Sequence, residues 1–257
     1  MFTTNFFSTI HFCFRFIIFI RKPSHKGYYH LIFFSLLLCK NFTIIPLPMS
    51  VIPTADGSKT LYSERFGEHY HSTFGAANES NHVFIEAGFL STTVCPVSVL
   101  EAGFGAGLNA WFTLQQAENL RRQTYYEAIE LYPIHESTVS ELSDDAVFRS
   151  LHTAPWEQPV EITPCFVLHK RKIDLLQATF TRRFDTVYFD AFSPAAQPEL
   201  WSRDIFARLY AAMNPGAVLT TYCAKGEVRR TLQNVGFAVE RLPGAARKRE
   251  MLRARKI

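Results

Sequence analysis

The chain has only five cysteines, Cys13, Cys39, Cys95, Cys165 and Cys223, and no two lie closer than 26 positions. That spacing excludes a C-x-x-C pair and a zinc-binding set, and it fits a reduced interior better than a disulfide framework. The nine histidines form no H-E-x-x-H and no paired metal spacing, so no metal ligation is expected. No serine stands in G-x-S-x-G, which leaves a hydrolase triad without support. Two apolar runs stand out, 12–20 (broken by Arg15) and 31–38. Neither reaches the ~20 residues a membrane-spanning helix needs.

Acids are also missing from one region. Residues 1–48 hold Arg15, Arg21, Lys22, Lys26 and Lys40 and no Asp or Glu, a charge of +5, together with ten of the 24 phenylalanines. They show neither a helical nor a two-residue period, and no small-residue cleavage pattern follows either apolar run. Residues 1–48 are therefore expected to be an extension upstream of a domain that starts at Met49, with a membrane anchor as the alternative. The remaining 209 residues carry 22 basic and 23 acidic groups. Within them, 241–257 hold seven basic residues against the single acid Glu250. A nearly neutral body with a basic end is a footprint for a polyanion, or else a solvated tail.

From residue 49 the chain reads as one α/β domain. Asp56-Gly57 signals a turn, and Lys59–Ser63 and Val83–Glu86 look like short strands, a small N-terminal strand extension. Strands are expected at 97–101, 124–130, 165–169, 185–190, 217–222, 237–241 and 250–255. Helices are expected at about 110–120, 136–150, 199–213 and 227–234. Strands alternating with helices predict a mostly parallel sheet, whose ligands sit beyond the carboxyl ends of the strands. That places Glu101, Glu130, Asp174 and Asp190 on one rim.

The most informative stretch is Val99-Leu-Glu-Ala-Gly-Phe-Gly-Ala-Gly107, followed by Asn109. It reads as a strand, a turn with Gly103, Gly105 and Gly107, and a helix start with unpaired N–H groups. A dinucleotide loop would place the third glycine three residues after the second. Here the spacing is G-x-G-x-G, and Glu101 stands two residues before the first glycine. That acid points away from a polyphosphate and toward a cationic ligand such as S-adenosylmethionine; a nucleotide enzyme and a bare turn remain open. Glu130, with Glu127 near it, suits a ribose, and Asp174 could accept from an adenine amino group.

A second patch is Asp190-Ala-Phe-Ser-Pro194. Asp190 could orient an amine toward a methyl donor, and Phe192 could pack on a base or a cation. His69, His71 and His82 cluster before the glycine loop, with Tyr70, Ser72 and Glu79 as neighbours that suggest a pocket wall. Each of these residues alone is as readily a cap or an ordinary surface group.

Several stretches together resemble one family. Asp56-Gly-Ser-Lys-Thr-Leu-Tyr-Ser, Phe66-Gly-Glu-His-Tyr-His-Ser, Glu79-Ser-Asn-His-Val-Phe-Ile-Glu, Glu101-Ala-Gly-Phe-Gly-Ala-Gly-Leu-Asn, Glu130-Leu-Tyr-Pro and Phe189-Asp-Ala-Phe-Ser-Pro are similar to the methyltransferase half of the bifunctional tRNA 5-methylaminomethyl-2-thiouridine biosynthesis proteins. Gln197-Pro-Glu-Leu-Trp, Thr221-Tyr-Cys-Ala-Lys-Gly-Glu-Val-Arg-Arg and Arg247-Lys-Arg-Glu-Met-Leu extend the likeness, in order, from about 54 to 254. The resemblance implies a Rossmann-like, S-adenosylmethionine-dependent methyltransferase. It would act in the cytoplasm on 5-aminomethyl-2-thiouridine at the tRNA wobble position. It implies a cofactor set of Tyr70, Glu101, Gly103, Gly105, Gly107, Asn109, Glu130 and Asp174, and a catalytic pair of Asp190 and Phe192. His71, Glu79, His82, Arg229, Arg230, Arg247, Lys248 and Arg249 are expected to meet the tRNA. The FAD-dependent oxidase half is not in this sequence, so a separate enzyme is expected to supply the free amine. Ala245-Ala246 stands where a glycine is expected before the basic run. An aminopropyl transferase of the spermidine synthase type and a non-catalytic RNA-binding module are the alternatives.

Overall fold

The structure, a computed structural model, describes residues 49–257. The expectations for residues 1–48 lie outside the described residues. The chain opens with a three-stranded antiparallel sheet, β1 (Met49–Pro53), β2 (Lys59–Ser63) and β3 (Glu68–His69). Eight further strands follow: β4 (Val97–Ala102), β5 (Thr124–Ile129), β6 (Pro159–Thr163), β7 (Phe166–Arg171), β8 (Phe184–Phe189), β9 (Met213–Thr221), β10 (Phe237–Pro243) and β11 (Glu250–Lys256). They form one sheet in the order β10-β11-β9-β8-β4-β5-β7-β6. The five from β9 to β7 run parallel, and β6, β10 and β11 are antiparallel. The expected mostly parallel α/β sheet is present.

The sheet is covered on both faces, as parallel strands require. Alternate residues of each strand go to opposite cores. Val97 and Val99 join the cluster that packs α2 (Leu108–Leu120), while Leu100 and Ala102 join the one that packs α5 (Arg203–Ala212) and α6 (Gly226–Val235). Every residue of β8 is buried, which marks it as a central strand. Side chains such as Phe189 and Phe206, fully buried, each contribute about 2 kcal/mol of hydrophobic stabilisation.

β4 is the first parallel strand in the chain. From it the chain moves outward to β5 and β7, then crosses back to β8 and β9 on the other side. The loops after β4 and β8 therefore diverge, and the crevice between them is the ligand position of an open α/β sheet.

Several boundaries differ from expectation. Val83–Glu86 is not a strand but part of a helical segment: α1 (Ala76–Ser80) runs into a π turn at Asn81–Glu86. Val83, Phe84 and Ile85 are all buried, and a short unbroken apolar run carries no period to separate helix from strand. The helix expected at 136–150 is two, α3 (Glu136–Leu142) and α4 (Ala146–Thr153), because the Asp145 side chain caps α4 by accepting from Phe148 N at 2.7 Å. At 199–213 a 3-10 turn, Pro198–Trp201, precedes α5, and β9 starts at Met213 rather than 217. A register shift opposite Phe184–Thr186 and a left-handed Gly216 let β9 keep Pro215. β1 and β6 carried no signal: β1 has no clean alternation, and β6 is an exposed edge paired with β7 alone. No described helix is long and apolar enough to cross a membrane.

Candidate active site

A cavity of about 660 Å³ opens at the carboxyl ends of β4, β5 and β8, within the size range of ligand pockets. The glycine loop forms its floor. Gly103 has φ +95°, and a Cβ there would lie 2.5 Å from the Asp190 carbonyl oxygen, so only glycine lets the β4 and β8 loops touch. Gly105 has φ +49°, and a Cβ would meet the Tyr70 ring at 2.8 Å. Gly107 is the N-cap of α2 and lies behind the cavity.

Glu130 follows β5 and is tied to this loop. Its Oε2 accepts from Gly105 N at 3.0 Å and its Oε1 from Tyr132 N at 2.7 Å. Burial raises its pKa despite these bonds. Asp174, beyond β7, lines the same side and accepts from Leu176 N at 2.9 Å. The N–H of Gly105, in the glycine loop, is thus already engaged.

Asp190 stands on the opposite wall. Its Oδ2 accepts from Asn109 Nδ2 at 2.8 Å and lies 3.8 Å from His71 Nε2. Burial pushes its pKa up to about 7, with Glu79 adding to the rise. The loop that carries it is anchored from several directions. Trp201 Nε1 donates to Phe192 O at 2.8 Å, Tyr222 Oη donates to Ala191 O at 2.9 Å, and Ser193 N donates to Glu68 Oε2 at 3.0 Å. Phe192 stacks on Phe66 at 4.3 Å between centroids and meets Tyr70 edge-on at 5.0 Å. The result is an aromatic wall beside a carboxylate.

Next to Asp190 lie three more polar groups. His71 is buried, and neither ring nitrogen has a hydrogen-bond partner among the described residues. Burial lowers its pKa. Glu79 accepts from Ser72 N at 2.8 Å and from the Lys248 ammonium, which lies 4.1 Å above the Tyr222 ring.

Not every expected residue reaches the cavity. Glu101 is inside β4, not on the rim, fully buried and outside the lining. Its Oε1 accepts from Asn109 Nδ2 at 2.9 Å, and burial raises its pKa well above the usual carboxylate range. Asn109 likewise does not line the cavity; it bridges Glu101 and Asp190 and accepts from Ser80 Oγ. His82 turns away, to Glu86 Oε2 at 3.1 Å and Pro243 O at 2.8 Å. Arg229 and Arg230 are on α6 and Arg249 is on the surface, all outside the cavity. Arg247 is at the mouth, 4.5 Å above Phe74. Lys248 faces inward, because Ala246 and Arg247 adopt left-handed φ of +48° and +69° where the expected glycine is missing. Phe66, Glu68, Tyr132 and Tyr222 line the cavity without having been singled out. All four fall in family-like stretches, which is their one available signal.

Residues 152–257 match a family model described as an S-adenosyl-L-methionine-dependent methyltransferase. The matched stretch includes Asp174, Asp190, Phe192 and Lys248. Over those residues the chain is similar to the S-adenosyl-L-methionine-dependent methyltransferases. The resemblance read from the sequence stands as well. A bifunctional tRNA 5-methylaminomethyl-2-thiouridine biosynthesis protein of Magnetococcus marinus is 30% identical over 230 residues, covering 79% of this chain and 34% of its own length. One from Azoarcus is 30% identical over 231 residues, with shares of 81% and 35%. The chain therefore spans about a third of the length of the curated relatives it matches. The crystal structure of MNMC2 from Aquifex aeolicus superposes with a TM-score of 0.67 over 96% of this chain and 83% of the other, at 22% identity, and shows the same fold. Among the described residues no three His, Cys, Asp or Glu gather as a metal-binding group.

The cavity fits the methyl donor of this family. Carboxylates ring it on both walls, its floor is a glycine loop, and its one buried imidazole has no partner. A sulfonium is drawn to such carboxylates and to aromatic faces, and ribose hydroxyls need acceptors.

Proposed function

We propose that residues 49–257 methylate the amine of a 5-aminomethyl uridine at the wobble position of tRNA, with S-adenosyl-L-methionine as donor. The observation that carries this reading is Asp190 beside Phe192 at the crevice between β4 and β8, a carboxylate and an aromatic wall held by three separate anchors. When bound, S-adenosyl-L-methionine supplies a methyl carbon on a sulfonium, with a neutral thioether as leaving group.

The chain's own residues supply position. Glu130 and Asp174 keep acceptor lone pairs on one wall for ribose hydroxyls and an adenine amino group. Glycine at 105 lets Tyr70 close over the loop. Asp190 accepts the amine's hydrogens and turns its lone pair toward the donor side, and Phe192, Phe66 and Tyr70 pack the base. Asn109 is a positioning residue, since its amide fixes Asp190 Oδ2. Such alignment supplies most of the acceleration in an in-line displacement. Arg247 and Arg249, with Arg229 and Arg230, present charge to the tRNA backbone outside the cavity. Among the relatives, the printed names describe biosynthesis of the 2-thio form, which makes 5-aminomethyl-2-thiouridine the proposed acceptor and the cytoplasm the proposed location. The test is incubation of aminomethyl-bearing tRNA with the protein and S-adenosyl-L-methionine, followed by nucleoside mass spectrometry. A gain of one methyl group on that nucleoside supports the reading, and an unchanged nucleoside rejects it.

A further inference from the structure

An aliphatic amine enters a neutral-pH site as an ammonium, and an ammonium has no lone pair. One proton must leave before the nitrogen can accept a methyl group. We propose that His71 and Asp190 act as a pair that takes up this proton, an inference that rests on the acceptor being an amine.

The imidazole is in the right condition for the task. It lines the cavity, it is buried, and both ring nitrogens lack partners among the described residues. Leaving a buried polar group unpaired costs about 1–3 kcal/mol, and such groups in a native site call for a specific reason. The residue is not loose. His71 N donates to Thr60 Oγ1 at 2.9 Å, and Tyr70 N donates to Leu61 O at 2.8 Å, so β2 holds the backbone on which the ring sits.

The ring's Nε2 lies 3.8 Å from Asp190 Oδ2. That distance is too long for a hydrogen bond and short enough that a proton on either group closes it. Asp190 is pinned by Asn109, so the imidazole is the member free to adjust. The other charges facing His71 come from α1, as Glu79, and from the loop before β11, as Lys248. These two pair with each other, Glu79 raising and Lys248 lowering the ring's affinity for a proton, and Asp190 stands beside the ring at 3.8 Å. Burial lowers the affinity of His71 for a proton and raises that of Asp190, so the two shift toward each other from their ordinary values. A coupled pair of this kind shares one proton rather than assigning it to one member.

The step balances simply. An N–H bond of the ammonium breaks, its electron pair stays on nitrogen, and the proton passes to the pair, ending between His71 Nε2 and Asp190 Oδ2. The freed pair on nitrogen then forms the new N–C bond. Restoring the site needs only loss of the proton to solvent as product departs. No further reactant is required.

Two measurements test this. First, the His71 ring nitrogens are titrated by NMR in the ligand-free protein and in Asp190→Asn. The pair requires the His71 midpoint to fall in the variant, because a facing carboxylate has been removed. An unchanged midpoint overturns it. Second, kcat on aminomethyl-bearing tRNA is followed against pH for the wild-type protein and His71→Gln. Glutamine keeps hydrogen-bonding capacity and cannot take a proton. General-base loss predicts a fall in kcat of about 30-fold at pH 7, narrowing to about threefold or less near pH 9.5, where the amine arrives already neutral. The tRNA KM should stay within about twofold. A loss that is equal at every pH marks a structural role and rejects the inference, as does no loss. Should His71→Gln fail to fold, His71→Asn takes its place. Absence of turnover by the wild-type protein refutes the amine reading instead, and the NMR titration tells that failure apart from failure of the pair.

Discussion

The two walls of the cavity treat their polar groups differently. On the β5 side, each oxygen of Glu130 accepts a backbone N–H, so loop and carboxylate hold each other in place. On the β8 side, His71 has no partner and Asp190 waits 3.8 Å away, while the supports for Asp190 come from behind, through Asn109. A wall whose donors and acceptors are already matched suits a ligand that is held in one pose. A wall with unmatched groups suits the place where charge changes during reaction, since the unmade bonds become available only then. On the function proposed above, the first wall is the binding side and the second the reacting side.

Substitutions can separate the two. The largest expected effect is on the reacting side: Asp190→Ala should lower kcat by ~10²-fold or more with cofactor affinity nearly unchanged, as read by steady-state kinetics and calorimetry. A comparable loss of cofactor affinity would abolish the distinction. On the binding side, Gly105→Val forces a β-branched residue into φ +49° and against the Tyr70 ring. It should weaken cofactor binding by about tenfold or more, some 1.4 kcal/mol, in a protein whose circular dichroism is unchanged. Outside both walls, Arg247→Ala with Arg249→Ala should raise the tRNA KM and flatten its salt dependence by about 0.7–0.9 per lost phosphate contact. Lys248→Ala should behave otherwise, lowering kcat with little change in salt slope, because its ammonium is paired with the buried Glu79. The smallest effect is on stability. Ala246 sits at φ +48°, so Ala246→Gly should relieve left-handed strain and raise stability by about 0.5–1 kcal/mol, a Tm shift of about 2 °C.

What the sequence disclosed follows the same division. Gly103, Gly105, Glu130, Asp174 and Asp190 sit where strands end, and strand ends can be found from local pattern alone. Parallel strands alternating with helices gave the sheet, and the acid–aromatic loop after β8 gave the reacting side. Contacts between distant segments were not visible. Lys248 and Glu79 lie 169 residues apart, and Asn109 reaches Asp190 across 81. Glu101 illustrates the limit best. Its place before the glycines suggested a ligand, yet β4 extends one residue beyond it and buries it under Asn109. The apolar run 83–85 reads as a strand in the sequence, yet it lies in a π turn with all three residues buried, since an unbroken short apolar run carries no period that separates the two element types.

The cavity draws on residues from Phe66 to Lys248, with contributions after β4, β5, β8 and β9 and from the loop before β11. During synthesis the amino-terminal parts of a domain emerge first. A nascent chain that has completed β4 and its glycine loop still lacks Asp190, and one that has completed β8 still lacks the partner of Glu79. The ribosome must therefore release residue 248 before either ligand has a finished place to bind. A ligand that needs the whole cavity can therefore stabilise the fold only after residue 248 has taken its place.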